Sequence, residues 1–325
     1  MTKVLVLGKI HEAGLDRLRQ AGGFEIVERG DNPPDLLAQA KDTDAIIVRT
    51  TKIGRELLAA APRLALVARH GVGYDAVDVP ALSERGVPLA LVGDVNSLAV
   101  AEHTLALMLA VVKRVAAYDA AMRAGNFAIR DSFSARELNG RSVLVIGFGR
   151  IGRHVARLCA AFGMTVRAAD PFVDAAAMAA LGVGHVADYR DGLAAADIVS
   201  IHAPKAPGGG ALIGRAELDA MKPGAILINV ARGGMVDEAA LADAVEAGRV
   251  MAGLDVFDRE PLPADDRLAQ LDGIVLSPHS AAFTEECAAR MSLACADNVI
   301  AQRESRLDAA LVVNKDVLGA REARS

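Results

Sequence analysis

The chain contains no tryptophan, and aromatic residues make up only 3% of it, so it offers no aromatic platform for stacking single-stranded bases. It also lacks a basic block. Lys and Arg number 36 against 41 Asp and Glu, for a net charge of −5, a balance that argues against a nucleic-acid partner. Cysteine is scarce. Cys159, Cys287 and Cys295 form an odd set with no CxxC or metal-ligand spacing, which suits a reducing cytoplasm better than a disulfide framework. Cys159, in an apolar helical stretch, reads as a small core residue. The seven histidines show no metal spacing either, so no metal is expected. The stretch "TLALMLAVV" (104–112) is apolar but far short of the roughly 20 residues a spanning helix needs, so no membrane partner is expected. "MTKVLVLGKI" lacks the extended apolar region and cleavage site of a signal peptide, and it reads as a first β-strand of a cytoplasmic protein.

What the chain does have is alternation. With 325 residues, 52% of them apolar, it is long enough for two domains with large cores. "KVLVLG", "FEIVERG", "DAIIVRT", "LALVARHG" and "VPLALVG" read as strands, separated by amphipathic segments that read as helices. A long, largely buried helix is expected from about Ser97, as its N-cap, to Ala124. After the polar link "RDSFSARELNGR" a second series begins: "SVLVIGFG", "MTVRAAD", "DIVSIHAP", "AILINVAR", "MAGLDVF" and "GIVLSPH". Continuous apolar strands between helices imply an α/β fold with parallel sheets covered on both faces. The glycine-dense segment Ala206–Gly214 reads as a mobile surface turn.

Within "SVLVIGFGRIGRHVARLCAAFG", Gly147, Gly149 and Gly152 stand in GxGxxG spacing, after an apolar strand and before an amphipathic helix. Gly147 would allow the tight turn, Gly149 would let a pyrophosphate approach, and Gly152 would let helix and strand pack closely. The helix start at Arg150 and Ile151 would offer N–H groups and a partial positive charge to the phosphates. Asp170 ends the next strand, where a carboxylate accepts the ribose hydroxyls of NAD and repels the extra phosphate of NADP. Pro171 and Phe172 follow it, so no arginine stands there to welcome that phosphate. NAD is the expected cofactor.

Three later stretches carry candidate chemistry. "INVARGGMVDEAAL" places Arg232 just past a strand, "AGLDVFDREPLP" places Asp255 and Glu260 there, and "VLSPHSAAF" places His279. Parallel sheets bind ligands at their C-terminal edge. An arginine, a glutamate and a histidine at that edge would supply a carboxylate anchor, a charge partner and a proton carrier.

These stretches, with "ARHGVGYDAVD", "NSLAVAEHTLALML" and "ELNGRSVLVIGFGRIGRHVA", resemble the D-isomer-specific 2-hydroxyacid dehydrogenase family, and are most similar to its phosphoglycerate and hydroxypyruvate dehydrogenase branch. The resemblance runs through almost the whole chain in family order. It implies two Rossmann-like, doubly wound parallel-sheet domains with a cleft between them: a discontinuous flavodoxin-like substrate domain over 1–96 and 291–325, and an NAD-binding Rossmann domain over 97–290. Hinge crossings would lie near Asn96 and Cys287. It also implies a homodimer to which the helix after Ser97 contributes. The long extra C-terminal region of some phosphoglycerate dehydrogenases is not expected here.

The resemblance assigns roles. His279 would donate the proton during ketoacid reduction, Glu260 would favour its imidazolium, and Arg232 would grip the substrate carboxylate or carbonyl. Asp255 would orient the nicotinamide carboxamide, and His202 would lie near the cofactor. Backbone N–H groups around Val72 and Gly73 would hold a carboxylate oxygen, and Arg49 would either meet a distal anion or make a surface ion pair. The implied substrate is a small 2-keto or 2-hydroxy acid of the 3-phosphoglycerate or hydroxypyruvate/glyoxylate type. His103 faces either the cleft or a partner subunit. The segment "APKAPGGGALIG" departs from the family's Thr-containing pattern. Two other readings share the fold: an NAD(H)-sensing corepressor-like protein without turnover, and a formate dehydrogenase, whose members place glutamine where Glu260 stands.

Overall fold

In the computed structural model, which describes residues 1–206 and 208–322, the apolar runs of the first hundred residues form five strands: β1 (Thr2–Leu7), β2 (Phe24–Arg29), β3 (Ala45–Val48), β4 (Leu66–Arg69) and β5 (Leu89–Ala90). All pair in parallel, in the order β2-β1-β3-β4-β5, with Val4 opposite Ala45 and Val48 opposite Arg69. That order is the flavodoxin-like one. Successive side chains of a strand point to opposite faces, so a sheet covered on both sides needs strands apolar throughout. Leu5, Leu7, Ile46, Val48 and Val67 fill one core, while Val4, Val6, Ile47 and Leu66 are equally buried beside them.

This unit comprises Met1–Asn96 and the chain from Phe283 onward. The return falls ahead of the expected position 291 because the last long helix, Glu285–Arg303, belongs to it entirely. Thr284 caps that helix by accepting the Cys287 N–H at 3.1 Å, and Cys287, Met291, Cys295 and Val299 are buried along it. It meets the first helix, Glu12–Ala21, at Gly14, where a Cβ would stand 2.6 Å from the Ser292 carbonyl oxygen.

The second unit, Ser97–Ala282, carries β6 (Ser142–Ile146), β7 (Thr165–Ala169), β8 (Gly184–His185), β9 (Ile198–Ile201), β10 (Ala225–Asn229), β11 (Val250–Leu254) and β12 (Ile274–Leu276). Its order, β12-β11-β10-β9-β6-β7-β8, is the dinucleotide-binding order extended by one strand, and it reverses between β6 and β9. Val143 and Val145 of β6 enter one core with Ile226 and Ile228 of β10; Leu144 and Ile146 enter the other with Ala225 and Leu227. The sheet is therefore doubly wound.

Three details differ from the sequence reading. The long helix breaks into Ser97–Val112 and Val115–Arg123, because Arg114 takes a left-handed φ of 54°. It starts at Ser97 itself, so Ser97 lies inside it rather than capping it. The two-residue strand β8 is too short to show a pattern in sequence. In the glycine-dense segment, Pro207 lies outside the described residues, and Ile213 pairs with Val236.

Candidate active site

The three loop glycines meet three different demands. Gly147 has φ of 92°, and a Cβ on it would stand 2.6 Å from the Ala203 backbone nitrogen. At Gly152 a Cβ would lie 2.1 Å from the Gly147 carbonyl oxygen, so only glycine lets the helix start press onto the turn. Gly149 has nothing within 4 Å of its Cβ position and opens outward. It is the N-cap of the helix Arg150–Ala161, and no side chain caps that end. The first-turn N–H groups of Arg150, Ile151 and Gly152 are thus arranged as an anion site.

The Asp170 carboxylate is fixed by the N–H of Phe148 at 2.7 Å and of Phe172 at 2.8 Å. It ties the end of β7 to the glycine turn and keeps lone pairs for hydroxyl donors. His202 follows β9, and its Nε2 lies 2.8 Å from Ser200 Oγ. Its Nδ1 is out of contact with water and lacks a hydrogen-bond partner among the described residues, and burial pushes the ring down to about 3, so it is neutral. An orphaned ring nitrogen, an uncapped helix start and a fixed carboxylate beside an open glycine all fit a dinucleotide.

The second constellation is laced together by the strand ends. Asn229, 2% exposed, accepts the Ala231 N–H at 3.0 Å and donates to the Arg232 carbonyl at 2.9 Å, which sets the turn carrying Arg232. At Gly233 a Cβ would lie 1.9 Å from the Phe257 carbonyl oxygen, so glycine alone lets this turn touch the loop after β11. In that loop Glu260 accepts the Phe257 N–H at 3.1 Å through Oε1. Its Oε2 lies 2.8 Å from His279 Nδ1. Arg232, Glu260 and His279 line one cavity of about 410 Å³, together with Asp258 and Lys205.

Asp255 is fully buried. Its Oδ1 accepts the Ser277 hydroxyl at 2.6 Å and the Ser280 N–H at 2.8 Å; its Oδ2 accepts the Ala281 N–H at 3.0 Å. Burial works to raise this carboxyl, but His103, Ser277 and the two N–H groups hold it below the ordinary carboxylate range. It is an anchored anion that grips the segment bearing His279.

The residues expected to meet substrate in the first unit lie at the C-terminal edge of its sheet. Arg49 follows β3, donates to the Lys9 carbonyl at 3.0 Å and stacks on the Phe283 ring at 4.6 Å. Val72 and Gly73 are half-exposed in the turn after β4. His70 in the same turn is only 3% exposed, with Nε2 2.9 Å from Ser292 Oγ. Sequence reasoning passed over Lys205 as a member of the cavity, although a basic residue three positions after His202 was the available signal. Nothing in the sequence marked Ser277. Among the described residues no cluster of three or more His, Cys, Asp or Glu could hold a metal, and no helix is long and apolar enough to cross a membrane.

Fold and site together define a dinucleotide-binding unit whose strand edge carries an Arg, Glu and His set. Residues 105–281 match the family model described as D-isomer specific 2-hydroxyacid dehydrogenase, NAD binding domain. The D-3-phosphoglycerate dehydrogenase of Mycobacterium leprae is 44% identical over 301 residues, 91% of this chain and 56% of that protein. The chain thus spans a little over half the length of this curated relative. The glyoxylate/hydroxypyruvate reductase of Sinorhizobium meliloti, described as NADPH-dependent, is 31% identical with a TM-score of 0.81, covering 93% of this chain and 94% of that one. The D-lactate dehydrogenase of Aquifex aeolicus, solved with NAD and lactic acid, is 29% identical with a TM-score of 0.85, covering 96% of this chain and 99% of that one. The chain belongs to the D-isomer-specific 2-hydroxyacid dehydrogenase family, and its second unit is an NAD-binding domain.

Proposed function

We propose that the protein is an NAD-dependent D-2-hydroxyacid dehydrogenase acting on a small 2-keto or 2-hydroxy acid of the 3-phosphoglycerate or hydroxypyruvate/glyoxylate type. The observation that carries this reading is the 2.8 Å pairing of His279 Nδ1 with Glu260 in the cavity that Arg232 lines. Bound NADH supplies hydride chemistry at the keto carbon. The proton for the oxygen then has to come from the chain. With Nδ1 engaged by Glu260, Nε2 of His279 is the nitrogen that gives up the proton in reduction and takes it back in oxidation. Glu260, bonded to Nδ1, fixes the orientation of the ring and leaves Nε2 facing the substrate. Arg232 binds the substrate carboxylate through its planar fork. Arg49 and the backbone at Val72 and Gly73 are assigned to substrate binding on the same reading.

Gly147, Gly149, Arg150, Ile151 and Gly152 take the pyrophosphate, and Asp170 takes the ribose and favours NAD over NADP. Of the contacts Asp255 makes, Oδ2 carries only one N–H bond, which leaves it an acceptor direction for the carboxamide. The working form is a cytoplasmic homodimer. Helix Val115–Arg123 buries no residue in the single chain, and Val115, Met122 and Phe127 are 54%, 51% and 61% exposed, an apolar surface suited to a second copy.

The test is loss of NADH absorbance with purified protein and hydroxypyruvate, glyoxylate or 3-phosphohydroxypyruvate. Oxidation of NADH with at least one of them is expected. Tight NADH binding with no oxidation by any 2-keto acid would favour the NAD(H)-sensing role, and NAD reduction by formate would favour a formate dehydrogenase.

A further inference from the structure

His279 has a φ of 48°, in the left-handed region, which a residue with a Cβ adopts only when its surroundings impose it. The bonds that impose it come from Asp255. The His279 N–H donates to the Asp255 carbonyl at 2.8 Å, while the Asp255 carboxylate grips Ser277 on one side of the turn and Ser280 and Ala281 on the other. One further side chain reaches this knot. His103 Nε2 lies 2.8 Å from Ser277 Oγ and 3.5 Å from Asp255 Oδ1. Ser277 has a single hydroxyl proton, and its 2.6 Å contact to a carboxylate claims it. Ser277 Oγ must therefore accept from His103, which fixes the proton of His103 on Nε2.

The helix Ser97–Val112 is seated to make this possible. A Cβ on Gly253 of β11 would stand 3.1 Å from Leu107 Cβ and 3.6 Å from Val111 Cγ2, so the glycine lets the helix lie close on the strand. His103, Leu107 and Val111 recur every four residues and share one helix face. The contact that seats Leu107 over β11 thus sets His103, one turn earlier, over the strand end where Asp255 begins.

We propose that His103 is a positioning residue: by donating to Ser277 beside the Asp255 carboxylate, it holds the left-handed turn that presents His279 to Glu260. Its effect on turnover rests on the assignment of His279 as proton carrier; its effect on the turn does not. Phenylalanine at 103 keeps the bulk of the ring and loses the donor. Glutamine carries an amide N–H at nearly the same reach, and asparagine carries one that stops short.

The experiment compares His103→Phe, His103→Gln and His103→Asn in the full chain by two readouts. The first is kcat and KM for hydroxypyruvate reduction. The second is the low-field imidazole N–H proton of His279 bonded to Glu260, assigned by its absence from His279→Gln. In His103→Phe, kcat should fall about 10- to 100-fold with KM little changed, as expected when a reacting group is misplaced rather than a binding group lost. The N–H resonance should vanish or broaden. His103→Gln should restore both, and His103→Asn should not. If the Phe variant folds poorly, the contrast between Gln and Asn decides the matter, since both are polar and differ only in reach. Wild-type kcat and an intact resonance in His103→Phe, or equal behaviour of Gln and Asn, overturns the proposal. A wild-type protein lacking the resonance removes the bond that His103 is said to support, and overturns it too. Should the wild type reduce no 2-keto acid, the resonance alone still decides the positioning role, so failure of the activity reading and failure of this one are separable.

Discussion

His70 makes the first unit sensitive to mild acid. The ring is 3% exposed, and burial, followed by the charges of Arg49 and Arg69, pushes it from 6.5 down to about 4. Above about pH 6.5 the ring is neutral in both the folded and the unfolded chain and costs nothing. Between 6.5 and about 4 only the unfolded chain takes up the proton, so stability falls as pH falls. At ~1.4 kcal/mol per pH unit, lowering pH from about 7.5 to about 5 removes about 2 kcal/mol, or roughly 30-fold in the opening equilibrium. The substitution that removes this dependence is His70→Gln, whose amide reaches Ser292 but does not titrate. The readout is hydrogen exchange of peptides covering β1, β3 and β4, corrected for the intrinsic pH effect on exchange. The wild type should lose about 30-fold more protection than His70→Gln across that pH range, through this one group. Strands β6, β9 and β10 should not distinguish the two proteins. Equal pH slopes for β1, β3 and β4 in wild type and variant would refute the argument, because carboxylates common to both would then account for all the acid lability.

Gly233→Ala would place a Cβ 1.9 Å from the Phe257 carbonyl oxygen and force the Arg232 turn away from the Glu260 loop. It should lower kcat/KM for hydroxypyruvate about 100-fold, with NADH affinity, read by fluorescence titration, retained. Asp170→Ala removes the acceptor of the Phe148 and Phe172 N–H groups along with the proposed ribose contact. It should cost about 1.5–3 kcal/mol of NADH affinity while NADPH loses less, measured by titrating both cofactors.

The strands were readable because each carries an uninterrupted apolar run, and a sheet covered on both faces requires that run on every strand, as in "VLVI" of β6 and "ILI" of β10. The glycine loop was readable because steric demands at Gly147 and Gly152 leave one residue type possible. Arg232 and His279 could be picked out because each stands just past the end of an apolar strand, and Glu260 because it lies in the loop that follows another. The break at Arg114 was hidden: a left-handed residue with a side chain carries no local mark of the kind glycine gives. The bond between His103 and Ser277 was hidden as well, since 174 residues separate the two and only the packing of a helix over Gly253 brings them together. The chain re-enters the first unit at Phe283, just ahead of the helix that Thr284 caps, and such a cap is a local bond that family resemblance does not mark.

The proposed chemistry rests most directly on His279 as the proton carrier. The deciding measurement is the turnover of His279→Gln with NADH and the 2-keto acid that the wild type reduces fastest, made alongside an NADH binding titration. General acid catalysis by a positioned side chain contributes about 10²–10⁴-fold, so kcat should fall by that much while NADH affinity stays at the wild-type value. Turnover at the wild-type rate would remove His279 from the chemistry.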